Sequence, residues 1–285
     1  MIIIKLRGGL GNQMFQYAAG MSLSSKLKTN ILIDLSWYEN IERGVTHRSY
    51  DLGGFEFEQK FIKPQDYILQ SSGLMKRIIS PTKPYVGEYI EPSFNYNKNF
   101  FNIKNNTLIE GYFQSEKYFI KIRKDLLKLF KIKNTSSKKS NQIINQAHDC
   151  NSISLHVRRG DYISNKNAVQ FHGFTNENYY KKAISLMNSR VDNPKYFIFS
   201  DDIKWVKNNF HLPEESIFVS HNKSGLEDMR IMVECKHNII ANSSFSWWSA
   251  WLGNIRGRVV IAPKTWLNDA DTDTSDVIPE RWIAI

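Results

Sequence analysis

The chain has 285 residues, 41% of them hydrophobic, a mean hydropathy of -0.43 and a formal net charge of +10. That length suits two domains or one large one, with enough apolar material for sizeable cores. No run of about 18 apolar residues occurs, so no membrane-spanning helix is expected. The first five residues lack the basic start, long apolar centre and small-residue cleavage site of a secretory signal. Cys150 and Cys235 give neither a disulfide framework nor a metal spacing. They read as reduced thiols of a cytoplasmic protein. The positive charge calls for a polyanion, an anionic membrane surface or a phosphorylated small ligand. Lysine supplies much of it and is scattered along the chain, which ranks nucleic acid last.

Residues 2–6 are a β-branched run and read as the first strand. Arg7, Gly8, Gly9, Leu10, Gly11, Asn12 and Gln13 follow at once. Residues 14–23 then show helical spacing, with Phe15, Ala18, Ala19 and Leu23 on one face. Glycines let the backbone turn sharply and approach a ligand, and a helix start offers N–H groups to an anion. The pattern is neither Gly-x-Gly-x-x-Gly nor a phosphate loop ending in Lys-Ser/Thr. Asn12 and Gln13 single it out, because amides both donate and accept, as sugar hydroxyls require.

A second strand is expected over residues 30–35. Residues 40–100 scatter aromatics among polar residues and prolines with no readable period, and core packing accounts for most of those rings. His47 and Arg48 are polar candidates there, with a surface loop as the plain alternative. Residues 107–113 read as a strand, Ser115 as a cap, and residues 118–131 as a basic helix with Leu126, Leu127 and Phe130 on one face. Such a helix can lie on an anionic membrane, though an ordinary surface helix is the commoner outcome. Residues 133–141 are polar without an apolar period and mark the domain boundary, as a loop or a helix entry.

The second half alternates strands (153–157, 195–199, 216–220, 238–241, 259–263) with helices (179–187, 203–210, 226–235, 247–252). This alternation argues for a parallel, doubly wound sheet whose right-handed crossovers put the strand-to-helix turns on one edge. Three of those turns carry polar groups. The first is His156 with Arg158, Arg159, Gly160 and Asp161. A strand ending in that cluster is poor core material, since unpaired charges are rarely buried. Arginine forks suit phosphate, and Asp161 can hold one fork in place. The second turn is Ser200, Asp201 and Asp202. The third is Asn242, Ser243 and Ser244 at a helix start, where hydroxyls and N–H groups suit a phosphate. Asp228, early on the preceding helix, can accept from the two N–H groups on a guanine edge. Singly, each has a plain alternative: a surface ion pair, a helix-surface acid, an N-cap. Together on one sheet edge they make a nucleotide diphosphate site. Trp247, Trp248 and Trp251 pack a helix onto the sheet. Asp201 and Asp202 are adjacent, so no Asp-x-Asp metal signature exists. Without a metal, cations and N–H dipoles must neutralise a departing diphosphate, and Arg158 and the 242–246 turn can supply them.

Three segments, residues 8–17, residues 156–162, and Glu227–Asp228 with residues 242–248, resemble the bacterial α-1,2-fucosyltransferases. The resemblance implies a GT-B-like α/β fold of two Rossmann-like domains facing across a cleft. The acceptor-side domain would span residues 1–140 and the GDP-fucose-binding domain residues 141–285. It also implies metal-independent, cofactor-free, inverting transfer of fucose to the 2-hydroxyl of a terminal β-galactose, in an oligosaccharide or lipid-linked glycan such as an O-antigen. By motif position, Arg158 would bind the β-phosphate and stabilise leaving GDP. His156 and Asp228 would contact the guanosine, and Ser243, Ser244 and Phe245 would line the diphosphate and base. Asn12, counted as catalytic, and Gln13 would reach toward the fucose. Asp161 would orient an arginine. Gly11, Arg159 and Asn242 complete the implied donor-binding set. The His-x-Arg-Arg element recurs in α-1,6- and protein O-fucosyltransferases, which keeps those linkages open. A non-catalytic GDP- or carbohydrate-binding module is the reading from another class. No catalytic base stands out, and no nucleic-acid recognition motif is present. The implied location is cytoplasmic, with peripheral contact on the inner membrane face left open.

Overall fold

The computed structural model describes residues 1–39, 46, 48–72, 82–132, 137–159, 175–220, 224–269 and 271–285. The chain divides into two compact units, Met1–Lys131 with Ser275–Val277, and Ile132–Thr274 with Ile278–Ile285.

The first unit carries β1 (Ile2–Lys5), α1 (Leu10–Leu27), β2 (Ile31–Asp34), α2 (Ser36–Glu39), β3 (Phe61–Ile62), β4 (Ile68–Leu69), β5 (Tyr85–Ile90), β6 (Thr107–Glu110) and α3 (Arg123–Leu129). Its parallel sheet has the order β3-β2-β1-β6-β5-β4. Ile2, Ile3 and Ile4 are all fully buried, as befits a strand covered on both faces. Helix α1 starts at Leu10, four residues before its apolar period becomes visible, because Asn12 and Gln13 occupy its first turn. It sits close on the sheet: a Cβ at Gly20 would lie 2.9 Å from Ile31 Cδ1. Many aromatics that resisted sequence reading build this core. Phe55 and Phe130 pack at 5.1 Å between ring centroids, and Phe100 and Tyr118 at 5.0 Å. The helix expected over residues 118–131 is broken instead into 3-10 turns at Glu116–Tyr118 and Ile120–Ile122, then α3. Phe119 leaves the helical region (φ -143°, ψ 4°), and the adjacent rings of Tyr118 and Phe119 are both buried. Ser115 caps the first turn by accepting from the Lys117 N–H.

The second unit runs α4 (Lys138–His148), β7 (Asn151–Val157), α5 (Glu177–Asn188), β8 (Pro194–Ser200), α6 (Ile203–Asn209), β9 (Ile217–Phe218), α7 (Gly225–Glu234), β10 (His237–Ile239), α8 (Ser244–Leu252), β11 (Val260–Ala262) and β12 (Ile283–Ala284). The sheet order is β12-β11-β10-β7-β8-β9, again parallel. Along β8, Tyr196 and Ile198 pack into one core with Tyr180, Ala183 and Met187 of α5, while Phe197 and Phe199 pack into the other with α4 and α7. That division follows the two-residue period of a strand. The polar segment at residues 137–141 is the first turn of α4, capped by Ser137. Its apolar face, Ile143, Ile144 and Ala147, begins only after that turn. Trp247, Trp248 and Trp251 are buried against one another as expected, with Trp248 and Trp251 5.0 Å apart.

Both sheets start in the middle, add strands to one side and return to the other. The reversal falls between β1 and β6 in the first unit and between β7 and β10 in the second. Connections there leave in opposite directions, and the crevice outside the carboxyl ends of the strands is where open α/β sheets bind ligands. Two doubly wound α/β units in one chain are the GT-B-like architecture. Among the described residues no helix is long and apolar enough to cross a membrane.

Candidate active site

In the second unit, β7 ends in His156 and Val157 and the chain leaves the sheet through Arg158 and Arg159. Val157 is the register partner of Ser200, so Asp201 and Asp202 emerge beside the arginines. Asp201 takes both. Arg158 Nη1 lies 2.8 Å from Asp201 Oδ2, and the Arg159 backbone N–H donates to Oδ1 at 2.9 Å. Asp202 caps α6 by accepting from the Trp205 N–H at 3.0 Å. Its other oxygen is 3.8 Å from Arg159 Nε, and the Arg159 guanidinium lies 3.8 Å from the Trp205 ring centroid. Arg159 therefore packs on Trp205, and both arginine side chains keep partial exposure at the edge, 25% for Arg158 and 19% for Arg159.

His156 is buried, and its Nδ1 has no hydrogen-bond partner among the described residues. Burial first, and then the Arg158 charge, pull its pKa down to about 3. The ring is therefore neutral at physiological pH. It lies 5.7 Å from the Phe245 ring. Phe245 in turn covers Gly225 at the start of α7, where a Cβ would come within 3.4 Å of the phenyl. An unpaired buried polar atom costs about 1–3 kcal/mol, which a hydrogen-bonding ligand would recover. Ser243 stands at the N-cap of α8 but its side chain makes no capping hydrogen bond. That leaves the helix start, with Ser243 and Ser244, suited to an anion. Asp228 is half-buried in the first turn of α7.

Several implied roles change on inspection. Asn242 is buried, and its amide ties the turn together: Oδ1 accepts from Thr175 Oγ at 2.7 Å and Nδ2 donates to the Trp266 carbonyl at 3.3 Å. Asn242 also lines a cavity of about 260 Å³ together with Thr175, Lys182 and Lys264. Gly160, Asp161 and His47 lie outside the described residues. The arginine-orienting task expected of Asp161 is performed at Arg158 by Asp201.

In the first unit, the glycine loop follows β1. Gly8 has φ +77°, and a Cβ there would lie 2.7 Å from Asn12 Nδ2. Asn12 Oδ1 accepts from Gln114 Nε2 at 2.9 Å. Arg48 comes to the same loop, its Cδ 3.7 Å from the Cβ position of Gly9. Gln13 does not reach outward. It is fully buried: Nε2 donates to the carbonyls of Gly8 and Ser49 at 3.0 and 2.7 Å, and Oε1 accepts from the N–H groups of Asp51 and Leu52 at 2.9 and 3.3 Å. All four hydrogen-bonding positions of its amide are engaged in holding loops. Gly11 is likewise buried in the first turn of α1. The Gln13 amide is thus spent on the loops around the helix start.

A family model described as glycosyl transferase family 11 matches residues 88–285. The chain is also 32% identical to the alpha-1,2-colitosyltransferase of Escherichia coli, with 100% of this chain and 98% of that protein covered. The chain belongs to glycosyl transferase family 11. The transferase is also 32% identical to the O-antigen biosynthesis glycosyltransferase WbnK of Escherichia coli, with 98% of each covered. Among solved structures, the fucosyltransferase NodZ from Bradyrhizobium aligns over 96% of each chain at 14% identity and a TM-score of 0.50, a likeness of fold. Sequence reading passed over Asp201 as an arginine holder, Trp205 as the platform for Arg159, and Gln114 as the partner of Asn12. Only the last two left no signal: Asp201 stood in view in the Ser-Asp-Asp turn, but its strand neighbour was unknown.

Proposed function

We propose that the transferase moves L-fucose from GDP-fucose to the 2-hydroxyl of a terminal β-galactose in a surface glycan such as an O-antigen, inverting the anomeric centre without a metal ion. The single observation that carries this reading is the edge between β7 and β10, where the Nδ1 of His156, without a partner among the described residues, lies beside Arg158 and near the α8 start. A neutral imidazole and Asp228 suit the guanosine, and Phe245 offers it a ring face. Arg158 and the N–H groups of the α8 start suit the diphosphate. The first unit takes the acceptor, with Asn12 among its contacts.

In the reaction the galactose 2-hydroxyl oxygen bonds to C1 of fucose from the face opposite GDP. The C1–O bond to the β-phosphate breaks, its electron pair stays on the phosphate oxygen, and the hydroxyl proton passes to solvent or a base. Charge develops on the leaving phosphate, so the cationic Arg158 does its work in the transition state. Free thiols at Cys150 and Cys235 fit a cytoplasmic setting.

The likeness to a colitosyltransferase over the whole chain favours a second donor, the GDP-linked 3-deoxy analogue of fucose. The purified chain, incubated in EDTA with either donor and a panel of β-galactosides including lactose, should release GDP and form an α-1,2-linked product. The ratio of kcat/KM for the two donors assigns the sugar. No galactoside-dependent GDP release, or a product linked elsewhere, would overturn the reading.

A further inference from the structure

Glu91 follows β5 directly, at the carboxyl edge of the first sheet, with its backbone N–H bonded to the Glu110 carbonyl at 2.8 Å. Its carboxylate collects the N–H groups of the next strand's exit. Oε2 accepts from Tyr112 N–H at 2.7 Å, and both oxygens accept from Phe113 N–H at 3.1 Å. That exit is an unusual piece of backbone. Phe113 sits in the left-handed region at φ +52°, with its ring fully buried. Gly111 is pressed so close that a Cβ would lie 2.4 Å from Glu91 Cβ and 2.7 Å from Oε2. A left-handed non-glycine residue costs on the order of 1–2 kcal/mol and persists only where its surroundings fix it. Here the carboxylate and the buried ring fix it together.

The turn holds two groups of the glycine-loop edge. Tyr112 presents its ring to the Arg7 guanidinium, 4.3 Å from the centroid. Arg7 also lies 3.4 Å from Glu110, and its Nε is buried without a hydrogen-bond partner among the described residues. Gln114 donates to Asn12 Oδ1 at 2.9 Å. Arg7 and Asn12 thus flank the glycine loop at the β1–β6 reversal, each held by a residue of one four-residue turn, and that turn is held by one carboxylate.

We propose that Glu91 is a positioning residue for glycosyl transfer: its carboxylate locks the Gly111–Gln114 turn, and the turn sets Asn12 and Arg7 in place to receive the acceptor. This rests on the assignment of the acceptor to the first unit. Burial pushes the Glu91 pKa up to about 7, against the lowering effects of the Phe113 and Tyr112 N–H groups, Arg7 and Tyr118. Tyr89 is the further titratable group that senses its charge. A proton on Glu91 replaces an acceptor oxygen with a donor facing N–H groups, so the lock weakens as pH falls through neutrality.

The test is Glu91→Gln, which keeps the shape but fixes the donor-bearing form. With GDP-fucose and lactose, the wild type should show an acceptor KM that rises as pH falls from 8 to 6. Glu91→Gln should show a KM raised about tenfold and flat across that range, with GDP affinity by calorimetry unchanged because the donor residues belong to the other unit. Gln114→Ala should raise the same KM several-fold while keeping the wild-type pH dependence. It also decides the matter should Glu91→Gln fail to fold. An unaltered KM in either folded variant sinks the proposal. So does loss of kcat at constant KM in Glu91→Gln, which would make Glu91 the base instead. A wild-type protein that binds no GDP at all would instead refute the proposed function and is recognised by that separate result.

Discussion

Replacing Asp201 with asparagine is the sharpest probe of the proposed donor edge. Asparagine keeps an oxygen for the Arg159 backbone N–H but removes the charge that meets Arg158 Nη1 at 2.8 Å. The two side chains are 25% and 23% exposed, so water screens the pair in part. A charge-assisted hydrogen bond contributes about 1.5–3 kcal/mol, and screening argues for the lower half of that range. If Arg158 acts on charge that appears only in the transition state, a loss of about 1.5–2 kcal/mol lowers kcat and kcat/KM alike by roughly 10- to 30-fold. Arg158→Ala alone should lower kcat by about 10²–10³, the usual loss for one oxyanion donor. The decisive measurement is the double variant, followed by GDP release with saturating lactose. Because the carboxylate works through the arginine, Asp201→Asn should cost less than about threefold once Arg158 is gone, a coupling of at least ~0.7 kcal/mol. Fully additive losses would show that Asp201 acts on something else, and near-normal turnover in Arg158→Ala would remove the arginine from the mechanism.

His156 has a folded pKa of about 3, below its ordinary 6.5, so its contribution to stability is complete above pH 6.5 and is lost as pH falls toward 3. Between pH 7.5 and 5 the wild type should lose about 2 kcal/mol more than His156→Gln in denaturant unfolding followed by tryptophan fluorescence; equal pH slopes would refute the burial argument. Gln13→Ala strands two loop N–H groups and the Ser49 carbonyl, while the Gly8 carbonyl keeps the Tyr38 hydroxyl at 2.9 Å, so urea unfolding should show about 3 kcal/mol of destabilisation with GDP affinity of the folded protein retained. A loss of GDP affinity with intact stability would return Gln13 to the binding surface. Gly8→Ala places a Cβ 2.7 Å from Asn12 Nδ2 at φ +77°; it should cost about 1–2 kcal/mol and lower turnover by displacing Asn12, and a fully active Gly8→Ala enzyme would show that Asn12 tolerates the shift.

What the sequence disclosed and what it withheld divide along a physical line. Residues 2–4, buried on both faces, announce their strand as a continuous apolar run, residues 153–157 as an apolar alternation, and alternation of strands with helices argues for a parallel sheet. The polar edge of the second sheet was readable because its residues, His156, Arg158 and the Asn242–Ser244 turn, are local clusters that strand ends carry to one side. Helix starts were harder: α1 and α4 both open with polar turns, so apolar periodicity dates them late. The first unit's edge was hardest, since Gln114 and Asn12 stand 102 positions apart and meet only because β6 returns beside β1. Gln13 shows the same limit from the opposite direction. An amide at a glycine-rich helix start has the chemistry to hold a sugar, and the same chemistry suits four backbone groups of neighbouring loops. Residue type gives what a side chain can bond; only the long-range pairing of strands says whether ligand or backbone reaches it first. A motif alone therefore cannot separate an amide such as Gln13, spent on backbone, from one left open, nor show that Asp201 meets Arg158 across neighbouring strand ends.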